Sequence, residues 1–230
     1  MPRFALGHAL ADTDVNLAFR ARCEALVVAT TGLTSLASTV GGYVRLTGNF
    51  ETEGFVVGME VVSGGFPENT PGTIIGVTPL SLIIYPRRIA RSVAANRQLT
   101  VGLPALRIWD NQTGTPDPLV PYIEADFLTQ PGSFISGHKE GGWREDRGLY
   151  VVRWYGIADT GTLGLSRSMD ALKARFTPHT TLAVPSEDEV VRVRADSAPN
   201  ASRITQRASG HALSTLTIPW QVYRRNITLA

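Results

Sequence analysis

The chain has a single cysteine, Cys23, so no internal disulfide can form, and folding in a reducing compartment is expected. Cys23 falls inside a helical pattern and reads as a small buried hydrophobe. Charge is sparse as well. Only 18% of the residues are Asp, Glu, Lys or Arg, the formal net charge is +2, and the basic residues are scattered rather than gathered into a run. Such a weak field does not favour nucleic acid as a partner. No apolar run approaches the roughly 20 residues a membrane span needs. The opening MPRFALGHAL lacks the long apolar region of a secretory signal, so the expectation is a soluble protein made in the cytoplasm.

Catalytic signatures are also missing. A serine hydrolase needs a nucleophile elbow of the G-x-S-x-G kind, and Gly164-Leu165-Ser166 does not supply one. Neither the dinucleotide fingerprint nor the P-loop can be laid over the glycines of GHKEGGWREDRG. The four histidines show no metal-ligand spacing with one another or with Cys23, and His138 beside Glu140 reads as a surface loop. The acidic set Asp117, Glu124 and Asp126 partly matches a metal-dependent nuclease of the PD-(D/E)xK kind, because Pro116-Asp117 precedes an acidic strand. The position that should carry lysine is Asp126, so the group that would stabilise charge or help activate water is lacking. A non-enzyme without metal or cofactor is expected.

What is present is a substantial apolar fraction, 43% of 230 residues, punctuated by 22 glycines and 14 prolines. That is enough to bury a core in one larger domain or two small ones. Residues 12–29 place Val15, Phe19, Cys23, Leu26 and Val27 at helical spacing behind Asp12, Thr13 and Asp14, which are candidate N-caps. From 38 to 102 the short runs YVRLTG, FVVGMEVVSG, GTIIGVT, LSLIIYP and RQLTVGL follow one another as in a small barrel or sandwich. PRRIARSVAANR reads there as an excursion, with Arg87, Arg88 and Arg91 in a solvated loop. The aromatics Tyr43, Phe50, Phe55, Phe66 and Tyr85 give slight support to a carbohydrate- or receptor-binding module, although core packing accounts better for most of them.

The second half is organised by residues 116–158. Ile123, Ala125 and Phe127 alternate with Tyr122, Glu124 and Asp126, the pattern of a strand with one buried face. Leu149 to Tyr155 is apolar on both faces apart from Arg153, as in a central strand covered on both sides or meeting a neighbouring subunit. Between them the glycine-rich stretch reads as a long loop in which Trp143 is an exposed aromatic, and Arg144, Glu145, Asp146 and Arg147 carry both signs of charge. Such a mixture suits an assembly contact. After it, Leu165, Met169, Leu172 and Phe176 mark a second amphipathic helix, capped by Thr162 or Ser166 and ended before Pro178. VVRVRA reads as a strand. A last strand carries Leu216, Ile218, Trp220 and Val222 on its buried face, with Pro219 favouring an edge position or a bulge.

The order of a helix, PYIEADFL, a glycine-rich loop, RGLYVVRWYG, the helix SMDALKARF, VVRVRA and LTIPWQVYRR resembles the tail terminator proteins of long-tailed bacteriophages, a family related to the lambda minor tail protein U. The resemblance rests on Pro121 to Leu128, Arg147 to Tyr155 and Ala171 to Phe176, and spans roughly residues 8–30 and 103–226. It implies an α+β core, a mixed, mainly antiparallel sheet with two packed helices, made of residues 1–37 and 103–230. Residues 38–102 would then be an inserted small all-β domain, barrel or sandwich. It further implies a hexameric ring of copies of this chain that caps the tail tube, ends tube polymerisation and offers a docking surface to the head-tail connector. Its partners would be the tube protein and a connector or neck protein, at the head-proximal end of the virion tail. Another ring-forming neck or tail-tube protein is the neighbouring alternative. The family has no catalytic residues and no cofactor to carry over.

Overall fold

The computed structural model describes residues 11–31, 34–39, 41–64, 72–85, 92–110, 120–136, 142–157, 163–185, 189–206 and 210–225. Asp117, Arg87, Arg88, Arg91, His138, Glu140, Phe66 and Thr162 lie outside these residues.

The first helix, α1 (Asp12–Glu24), buries Val15, Ala18, Phe19 and Cys23, the face expected from their spacing. Its N-cap is Ala11 rather than one of the three polar residues after it. Asp14 occupies the third helical position, and its carboxylate accepts the Ala11 N–H at 3.0 Å. An acidic side chain there also sits well with the helix dipole. The helix ends earlier than the sequence suggests, so Val27 falls beyond it and is exposed.

Seven strands follow, namely β1 (Ala29–Thr30), β2 (Thr34–Thr39), β3 (Gly42–Arg45), β4 (Met59–Gly64), β5 (Gly72–Val77), β6 (Ser81–Tyr85) and β7 (Ser92–Pro104). All their pairings are antiparallel, in the order β7-β2-β3-β6-β5-β4, and β4 returns to pair with the second half of β7. The ladder therefore closes on itself, and closure removes free edges. Ser92 to Arg97, expected in an irregular excursion, form the half of β7 that pairs with β2. Tyr43, Val61, Ile74, Leu82, Ile84, Leu99 and Val101 are buried. Phe50 and Phe55, in edge-to-face contact at 5.2 Å, are buried with them. Tyr43, Phe50 and Phe55 are thus core residues, and only Tyr85 of the described barrel aromatics is exposed. Arg45 is buried too, its guanidinium 3.9 Å from the Phe50 ring centre and 2.8 Å from the Glu53 carboxylate.

This sheet takes in residues on both sides of the 38–102 segment, and its core is continuous with that of the rest of the molecule. The junction is tight at Gly58, which has φ +86° and lies where any Cβ would fall 2.2 Å from the Pro121 ring. Glycine alone fits both demands.

The second sheet contains β8 (Leu106–Ile108), β9 (Tyr122–Ser136), β10 (Trp143–Ile157), β11 (Thr181–Leu182), β12 (Val191–Val193), β13 (Asn200–Ala201), β14 (Thr205–Gln206) and β15 (His211–Arg225). β10 is central, antiparallel to β9 on one side and to β15 on the other along its full length. β8 joins β9 in parallel, while β12, β13 and β14 pair in turn along the far side of β15. The molecule is a mixed α+β structure with two curled sheets.

Both helices pack on one face of this sheet. Phe19 of α1 stacks on Tyr150 at 4.7 Å, and Phe127 stacks on Trp220 at 5.0 Å. The second helix, α2 (Leu163–Ala174), buries Leu165, Met169 and Leu172, and Phe176 is buried just beyond its end. Ser166 does not cap it but lies exposed within it. Leu216, Ile218, Trp220 and Val222 fill the same core as expected. Pro219 sits neither on an edge strand nor at a bulge: it lies within β15, opposite Leu149 of β10. Its carbonyl accepts the Arg194 N–H at 2.9 Å on the far side, just past β12, so its missing hydrogen is not lost from the ladder to β10.

Candidate assembly surface

Trp143 to Arg147 are not in a loop. They begin β10 and pair with both β9 and β15. Residues 137–141 of the glycine-rich stretch lie outside the described residues. The paired strands before and after them contain a β-bulge: between the pairs Arg147–Gln130 and Glu145–Ser133, β9 contributes Pro131 and Gly132 where β10 contributes Asp146 alone. A bulge tolerates a proline and bends the strand. It also needs the glycine, since a Cβ on Gly132 would lie 2.0 Å from the Asp146 carboxylate and 2.4 Å from the Glu145 carbonyl.

The five residues split between the two faces of the sheet. Asp146, 6% exposed, accepts from Arg144 at 2.8 Å and lies 3.2 Å from the Arg224 guanidinium, which also pairs with Asp12 at the start of α1. This cluster ties β10, β15 and α1 together. On the opposite face the Arg147 guanidinium donates to both oxygens of Glu145, at 3.0 and 2.9 Å, with Glu145 buried and Arg147 exposed. Trp143 is half-buried.

From that end the helix-free face continues along the sheet. Leu128 and Leu149 are directly opposite each other on β9 and β10 and are 50% and 39% exposed. Val151, half-buried, comes next, and Arg153 forms an ion pair with Asp126 across the strands. Tyr155 donates to Glu124 at 3.0 Å and stacks on Tyr122 at 4.2 Å, with the His211 ring edge-on to Tyr122 at 5.2 Å. Burial and the Glu124 carboxylate push the Tyr155 phenol up, so it remains a protonated donor at physiological pH. Of the two sequence alternatives for β10, cover on both faces is not provided by the described residues: Leu149 lies open.

Little reactive chemistry is assembled. Glu124 and Asp126 are held by Tyr155 and Arg153. Among the described residues, no group of three His, Cys, Asp or Glu side chains could hold a metal ion. Cys23 is fully buried beside Tyr150, and desolvation pushes its thiol up to about 12, which leaves it protonated and unreactive. No described helix is long and apolar enough to cross a membrane.

Sequence reasoning missed the pairing of Leu128 with Leu149. The signal was available in the alternation: Leu128 stands in phase with Tyr122, Glu124 and Asp126 on the polar face of its strand, an apolar residue out of pattern. No known family and no curated protein matches this sequence. A solved structure whose name states no function aligns with 56% of this chain and 83% of its own, at 22% identity and a TM-score of 0.38, too distant to carry an argument.

Proposed function

We propose that this chain is a structural virion protein of a long-tailed bacteriophage. It caps the tail tube as a ring, ends tube polymerisation and presents a docking surface to the head-tail connector. The reading rests on the sequence resemblance, and the observation that carries it is the helix-free face of β9, β10 and β15. Within one copy Leu128 and Leu149 lie open on that face, and a second copy laid against them would remove apolar surface from water. Ring contacts are heterologous, so the same surface meets a different patch of the next copy and the series closes by rotation. In this reading the Trp143 to Arg147 end of the sheet borders the contact, with Arg147 exposed at its rim.

The closed barrel is then an insertion that decorates the ring. Its outer face carries Ile83 and Tyr85, 47% and 65% exposed, beside Val44 and Ile75, and would contact a neighbouring virion protein. The test is complementation: a phage lacking this gene should make tails of unregulated length that join no heads, and the wild-type chain supplied in trans should restore tails of uniform length. Normal tails without the chain would remove the proposal.

A further inference from the structure

Where the barrel meets the second sheet there is a cavity of about 440 Å³. Phe55, Val57 and Val77 line it from the barrel side, and Trp154, Leu165 and Ser168 from the side of β10 and α2. Its volume falls within the range of small-molecule sites, which are mostly apolar with a few placed polar groups. Ser168 supplies such a group. The residue is only 4% exposed, it lines the cavity, and its hydroxyl has no hydrogen-bond partner among the described residues. The hydroxyl is not among the sealed, unpaired polar atoms of the interior, so it is reachable from the cavity and free to donate to or accept from an occupant. Charge enters only with the exposed Glu51 and Arg167, of opposite sign, and Arg167 is already engaged with the Thr52 carbonyl at 2.9 Å.

We propose that this cavity binds a small uncharged molecule with an apolar, aromatic-sized body and one hydrogen-bonding end directed at Ser168. The apolar walls take the body and select against a net charge, for which the interior holds no counterion. Because the walls come from both sheets, an occupant also braces the barrel against the rest of the molecule.

Titration calorimetry on the full chain with 4-propylphenol and with propylbenzene tests this. The hydroxyl-bearing probe should bind one-to-one and saturably, and roughly fivefold more tightly than the bare hydrocarbon, the ratio expected for one net hydrogen bond. Ser168→Ala should bring the two probes to equal affinity while keeping binding. Val77→Phe, which fills the cavity from the barrel side, should abolish binding of both, and Ser168→Leu should do so from the helix side. No saturable binding to the wild type, or binding unchanged by Val77→Phe, would overturn the proposal. A preference for the phenol that survives Ser168→Ala would refute the role given to that hydroxyl.

Discussion

The two sheets solve the same problem in opposite ways. The first closes: β4 returns to β7, the interior is filled by its own Tyr43, Ile74, Ile84 and Val101, and it needs no helix to cover it. The second stays open, with one face packed on α1 and α2 and the other bare at Leu128 and Leu149. Both expose apolar side chains, Ile83 and Tyr85 on the barrel and the leucine pair on the open sheet. A closed ladder offers a partner side chains alone. The open sheet offers a broad face bordered by long strands, the geometry that repeated copies of one chain can share. On the function proposed above, apolar exposure would serve two purposes, self-assembly on one surface and a different partner on the other.

The sharpest break in this contrast comes from the open sheet's dependence on its helices. Leu172→Asp and Met169→Asp each place a carboxylate at a buried position with no cation to pair it, and either should cost at least about 4 kcal/mol and give insoluble or unfolded protein. Soluble expression with an unchanged circular dichroism melt would show that α2 is not the cover assumed here. Next in size is Asp146→Ala, which leaves Arg144 and Arg224 facing each other without the carboxylate they share. About 3 kcal/mol should be lost in denaturant unfolding, and less if the start of β10 frays on its own.

Excision probes the barrel's independence. Thr30 and Thr100 are cross-strand partners on β1 and β7, so joining them directly removes the closed ladder without stretching the chain. The remaining sheet should fold, with a lower melting temperature because Leu103 and Trp154 lose neighbours, and it should still form rings. An aggregated product would mean that the shared core cannot be divided at this point. The effect that is absent at neutral pH and appears only in alkali concerns Cys23. Its thiol is held neutral in the folded chain, up to about 12 against an ordinary 9.0, so the unfolded state releases its proton first as pH rises. Stability should therefore be intact below pH 9 and fall between 9 and 12. Cys23→Ala should flatten that slope in pH-dependent melts.

Much of this contrast could be read from the chain. Helical spacing placed Leu165, Met169, Leu172 and Phe176 correctly because a buried stripe leaves a local signature, and alternation assigned the faces of β9 and β15 for the same reason. Which of the two alternatives, barrel or sandwich, the short strands would form was not legible. It depends on β4 meeting β7 across some forty residues of chain, and no local pattern encodes such a partner. The bulge was not legible either, because only the Asp146 carboxylate and the Glu145 carbonyl packed against Gly132 show why Pro131-Gly132 stands inside a strand. The stretch expected to be an exposed loop is strand instead, with Glu145 and Asp146 buried, and the open leucine pair beside them was overlooked.

The central claim, that copies of this chain assemble through the open sheet, is tested most directly by multi-angle light scattering at micromolar concentration. The comparison is between the wild type, Leu149→Lys, and Ile83→Lys as a control on the barrel. The account predicts a ring of several 24.8 kDa copies for the wild type and for Ile83→Lys, and a folded monomer for Leu149→Lys. A monomeric wild type, or a ring of undiminished mass in Leu149→Lys, would contradict it.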